Sequence, residues 1–167
     1  MKKILATAAA LVVGGFAAQA SADNSFNFTI EGQIPVVCQG NNNSLATTEA
    51  VDLTIATSQT LGSVTYVCNS AGGFTRTISS QNGGYMFRAG TSGTGPNQVA
   101  YQLSSGGGSG LGFAAEQLTA PKVTNVSGST AFISGQTGGI SVVVPQPTGN
   151  VYAGTYSDVV TIAVTAN

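Results

Sequence analysis

The 167-residue chain has no histidine, and charged side chains make up only 7% of it. Without imidazole there is no Ser-His-Asp triad, and no side chain that ordinarily titrates near neutrality to act as a base. The same absence weakens any metal site, because two cysteines far apart in sequence make a poor ligand set alone. Lysine and arginine number 5, so no basic patch exists to neutralise phosphates, and nucleic acid is not an expected partner. The 6 acids, Asp23, Glu31, Glu49, Asp52, Glu116 and Asp158, are scattered, with no pair at a spacing that suggests catalysis. The glycine-rich stretch Ser104–Gly110 lacks the Lys-Ser/Thr ending of a phosphate loop and reads as a hairpin loop. The expectation is a protein that is not an enzyme and carries no cofactor or metal.

Long apolar runs are scarce too. One extends from Ile4 to Ala18, behind Lys2 and Lys3 and ahead of Ala20-Ser21-Ala22. These three parts read as a secretory signal peptide over residues 1–22, with the mature chain starting at Asp23. The run is too short and too rich in small residues to span a bilayer, which takes roughly 20 apolar residues. The mature chain, 23–167, is the size of one ordinary domain, and its cations are Arg76, Arg88 and Lys122. The surface this implies is poor in charge and rich in Ser, Thr, Asn, Gln and Gly, which suits a secreted polymer. The 2 cysteines, Cys38 and Cys68, are expected to form one structural disulfide in an oxidising compartment.

What the chain has in quantity is turn chemistry. Breaks fall at Gly40–Ser44, Asn69–Gly73, Asn82–Gly84, Ser104–Gly110, Gly138-Gly139 and Pro145–Asn150. Between them lie short β-branched or alternating runs: Phe26–Val37, Gly62–Val67, Phe74–Ser79, Tyr85–Ala89, Gln98–Leu103, Thr130–Ile133 and Ile140–Val144. Only Phe113–Leu118 reads as a turn of helix. Short strands at this spacing predict an all-β antiparallel sandwich or barrel.

Both ends carry the sharpest patterns. Near the C-terminus, Tyr156, Val160, Ile162 and Val164 recur on one face of a strand with no following hairpin partner. Its free edge needs a cover from elsewhere, or it becomes an aggregation site. At the other end Phe26, Phe28, Ile30, Gly32 and Ile34 share one face, opposite Asn27, Thr29, Glu31 and Gln33. This segment is either the first strand of the domain's own sheet or a donor strand for a neighbouring subunit.

Several motifs, in order along the chain, resemble the spore coat protein U family, which includes the pilins of archaic-type chaperone–usher pili. They are the signal peptide, the apolar arm leading to Cys38, the second cysteine in Gly62-Ser-Val-Thr-Tyr-Val-Cys68, and the ending Ala-Gly-Thr-Tyr-Ser-Asp-Val-Val-Thr-Ile-Ala-Val. Phe74–Ser79 and Val99–Leu103 are also similar to the central strands of that family. The resemblance implies an immunoglobulin-like sandwich that is incomplete, missing its final strand until a donor strand completes it. A periplasmic chaperone would lend that strand during export, and an outer-membrane usher would exchange it for the arm of the next subunit. Carried onto this sequence, residues 23–31 form the donor arm with anchors Phe26, Phe28 and Ile30, while Ile34 is a candidate to open the subunit's own first strand. Tyr156, Val160, Ile162 and Val164 would face the acceptor groove, and Cys38–Cys68 would staple the first strand to the second.

The function implied is that of a structural subunit of a surface pilus or fimbria, serving adhesion and biofilm formation. Its partners would be identical or related pilin subunits in a linear polymer, together with the chaperone and the usher. It would pass through the periplasm to the cell surface. The alternative is a monomeric secreted carbohydrate-binding or adhesive sandwich, with residues 25–30 folded into its own sheet.

Overall fold

The computed structural model describes residues 26–145 and 150–167. The expected signal peptide and the mature start at Asp23 lie outside the described residues. The chain divides into two units, Met1–Gln33 and Ile34–Asn167. In the first, residues 26–33 form neither strand nor helix.

The second unit is an all-β antiparallel sandwich. One sheet has the order β1-β2-β9-β6-β7, built from β1 (Cys38–Asn42), β2 (Gln59–Cys68), β9 (Gln136–Val143), β6 (Gln102–Ser105) and β7 (Phe113–Glu116). The facing layer has the order β11-β3-β8, built from β11 (Val160–Ala166), β3 (Phe74–Ser80) and β8 (Lys122–Val126). It continues as β10-β4-β5, from β10 (Tyr156–Ser157), β4 (Tyr85–Arg88) and β5 (Gln98–Ala100). β10 pairs with β4 as β11 pairs with β3, so each of these is one long path interrupted once. This is the immunoglobulin-like order, with β1, β2, β9 and β6 standing as A, B, E and D, and β3 and β11 as C and F. In a complete sandwich a strand G flanks F. Among the described residues no strand pairs with the outer edge of β11, nor with that of β1.

Strand alternation builds the core. On β3 the residues Phe74, Arg76 and Ile78 are all buried, and Thr75 and Thr77 turn outward. Around Phe74, Tyr66 stacks at 5.9 Å and Phe132 meets it edge-on at 5.1 Å. A second cluster joins Ile78, Met86, Tyr101, Leu103, Leu118, Ile140 and Val142.

Several expectations need correction. Phe26–Val37 is not a strand; the first one begins at Cys38, and Ile34 is exposed rather than opening it. β1 instead runs through Gly40-Asn41-Asn42, which read as a turn; the Cys38–Cys68 pair fixes its register, and an edge strand tolerates polar residues. Phe113–Leu118, read as a turn of helix, contains β7. Thr130–Ile133, read as a strand, is the helix α1 (Thr130–Ser134). There Ser129 Oγ accepts from the Ala131 N–H, and Gly135, at φ 95°, ends the turn. β8 was missed, since Lys122–Val126 puts Val123 into solvent and buries Val126.

Candidate functional site

The two unpaired edges face each other. β1 and β11 belong to different sheets and leave an apolar groove between them. They come close at Gly40, where a side chain would meet Val164 Cγ2 at 3.3 Å and Val64 Cγ1 at 3.4 Å. Between the two strands lies a cavity of about 510 Å³ bordered by Cys38, Gly40, Asn42, Val160, Ile162 and Val164. A second cavity, about 470 Å³, continues from it toward Tyr156, with Leu61, Met86, Leu103 and Val142 among its lining. Leu45, Val160 and Ile162 border both, so the two are parts of one groove.

All the C-terminal residues expected at an acceptor groove line it. Tyr156 borders only the second cavity, Val164 only the first, and Val160 and Ile162 both. They are not equally deep. Ile162 and Val164 are half-buried and packed against the core, whereas Val160 stands at the rim, 37% exposed. The irregular segment after β1 supplies Leu45, Val51 and Leu53, which pack on the second core cluster. Sequence reasoning missed these three. They follow no strand or helix period, and only their apolar character in a polar stretch could have marked them.

Local bonds hold the strand that forms one wall. Tyr156 Oη donates to the Tyr152 carbonyl at 2.6 Å and lies 3.1 Å from that of Pro96, the geometry of a tyrosine corner. Where β10 breaks from β11, the Asp158 carboxylate accepts from Tyr101 Oη, Ser80 Oγ and the Asn82 N–H. Burial, reinforced by the Asp158 carboxylate, pushes the Tyr101 hydroxyl well above its ordinary range, so it acts as a fixed donor. At the C-terminal end Asn167 N–H donates to Gly73 O, and Ser70 Oγ to Asn167 O.

The disulfide ties β1 to β2 beside the groove, whose border includes Cys38. Cys38 and Cys68 are opposite one another across β1 and β2, with Cα atoms 4.0 Å apart. The N-terminal anchors are uncovered: Phe26, Phe28 and Ile30 are each more than four-fifths exposed, at 86%, 82% and 84%. Among the described residues no group of three or more His, Cys, Asp and Glu side chains could hold a metal. The groove offers shape, apolar walls and two strand edges that have no ladder partner among the described residues, which is the chemistry of strand addition.

No protein-family model matches the chain, and no curated protein matches it.

Proposed function

We propose that this chain is a structural subunit of a surface fibre, a pilus or fimbria, joined to its neighbours by donor-strand complementation. The observation that carries this reading is the apolar groove between two strand edges that have no partner among the described residues. The same sequence supplies a matching occupant. Residues 26–34, fully extended, span about 30 Å, against about 23 Å for the 7 residues of β11. Phe26, Phe28 and Ile30 alternate on one face of this segment and are exposed, whereas large apolar side chains normally seek cover. Burying each in a neighbour would contribute about 1.5–3 kcal/mol, and ladder bonds to β1 and β11 would add to this.

Donation from one copy to the next is a heterologous contact, and a heterologous contact that does not close grows a filament. A chaperone that lends a strand would guard the groove during export, since an open apolar edge invites aggregation. An outer-membrane usher would then carry out the exchange, placing the subunit on the cell surface in a role of adhesion and biofilm formation. The role is structural rather than enzymatic. The monomeric adhesive sandwich draws less support, because its distinguishing feature, an N-terminal strand within its own sheet, is not formed by residues 26–33.

The test is to replace Phe28 and Ile30 together with Asp. Fibres should disappear while the domain keeps its stability and still binds a strand-lending chaperone, because a carboxylate cannot enter an apolar groove unpaired. Loss of folding in this double variant would show that the arm belongs to its own domain and would overturn the proposal.

A further inference from the structure

The root of the arm, Pro35–Val37, is bound by the residue that follows Cys68. Asn69 binds this short segment at three points. Its Oδ1 accepts from the Val37 N–H at 2.7 Å, and its Nδ2 donates to the Pro35 carbonyl at 2.9 Å. Its own backbone N–H donates to the Val37 carbonyl at 3.1 Å. The side-chain orientation is forced, since an N–H can only donate and a carbonyl can only accept. One asparagine thus satisfies every backbone group that Val37 has and the one that Pro35 has. Pro35 adds stiffness by fixing its own φ and holding Ile34 out of the helical region. The disulfide ties the next residue on each side, Cys38 to Cys68.

We infer that Asn69 is a positioning residue that pins the arm's root and so opposes its folding back into its own groove, which leaves the arm free for a second copy. The inference rests on the donor-strand reading. The arm precedes β1 in the chain, so to lie beside β1 in its own groove it would have to reverse within residues 34–37. A reversal needs the Val37 and Pro35 backbone groups to turn, and these are the groups that Asn69 occupies. Donation to a neighbour needs no reversal. Asn69 therefore raises the cost of self-filling without touching the groove, and favours polymer over closed monomer.

The test uses the full mature chain, as wild type, Asn69→Ala and Pro35→Gly, the last leaving Asn69 intact. Hydrogen exchange at the Val37 amide reads the clamp, and the distance between spin labels at Thr29 and Thr161 reads the arm's direction. Fibre yield reads the outcome. In Asn69→Ala the Val37 amide should exchange about tenfold faster, as expected for a lost hydrogen bond. The label distance should spread to include a short, back-folded population, and fibre yield should fall several-fold. Pro35→Gly should spread the distances in the same direction even if Asn69→Ala folds poorly. An unchanged distance distribution in both variants would overturn the inference, whatever happens to Val37. Failure of the wild type to form fibres would instead count against the donor-strand reading, because the label distances are measured on single chains.

Discussion

β3 and β11 are neighbouring antiparallel strands with the same alternation, and they differ in what surrounds them. Ile78 of β3 is 0% exposed, while its register partner on β11, Ile162, is only half-buried. The next pair inverts the usual order of polarity. Arg76 is a cation and is wholly buried, yet Val164 opposite it remains partly open. Arg76 tolerates this because Nη1 donates to Ser105 Oγ at 3.2 Å and Nη2 to Leu111 O at 2.8 Å. The Tyr66 and Phe113 rings also lie over its guanidinium at 5.5 and 5.7 Å. Burial in this sheet thus follows position rather than side-chain polarity. β3 has a strand on each side, and β11 has one on only one side among the described residues. The shortfall on β11 measures the cover that an added strand would supply.

The comparison breaks most visibly if the same charge is placed at both positions of one register pair. Ile78→Asp should destabilise the domain by about 4 kcal/mol or more, the cost of an unpaired carboxylate in a packed interior. Ile162→Asp should cost the isolated domain about 1–2 kcal/mol, since water already reaches the groove. It should nevertheless abolish capture of a peptide carrying residues 26–34. Urea unfolding and peptide binding of the two variants separate these effects. Equal destabilisation would mean that β11 is as enclosed as β3 and that the groove is not a docking site.

The disulfide beside the groove has the next largest effect. Cys38→Ser or Cys68→Ser should lower stability by about 2–5 kcal/mol, through the lost constraint on the unfolded chain. It should also loosen β1, which among the described residues has a ladder only with β2. Native protein should show no free thiol on labelling without reductant. Full labelling of both cysteines with unchanged stability would contradict this.

How far the sequence carried the argument differs between the same regions. Phe74–Ser79 and the strand through Val160, Ile162 and Val164 were legible because strict alternation has no helical counterpart, and Cys38 and Cys68 because a pair in a chain expected to be exported has few other uses. Thr130-Ala-Phe-Ile-Ser134 was misread because β-branched residues suggest a strand. The Ser129 cap and the Gly135 stop, which make it a helix, span too few residues to show a period. β1 was hidden by its asparagines, which face solvent on an edge strand and so carry no apolar signal. Leu45, Val51 and Leu53 were invisible as groove residues because irregular backbone brings them there. Asp158 looked like one scattered acid; its three donors come from Ser80, Asn82 and Tyr101, distant in sequence and joined only by the sandwich.

That cluster sits at the break between β10 and β11, and its loss should cost less than loss of the disulfide. The Tyr101 hydroxyl is held protonated by burial and by the Asp158 carboxylate, so its pKa in the folded state lies above its unfolded value of about 10. A group raised in this way contributes stability in full below its unfolded pKa. The contribution is lost as pH rises through and beyond that value. Followed by near-ultraviolet tyrosinate absorbance, Tyr101 should therefore ionise only together with unfolding. Tyr101→Phe should remove the late step and cost about 1.5–3 kcal/mol at neutral pH, the usual worth of a hydrogen bond to a charged group. Asp158 would keep its bonds from Ser80 and Asn82, so β11 should stay in register and peptide capture should change little. If Tyr101→Phe instead abolishes capture, the Asp158 cluster shapes the groove wall directly, and the break between β10 and β11 is part of the docking surface rather than its anchor.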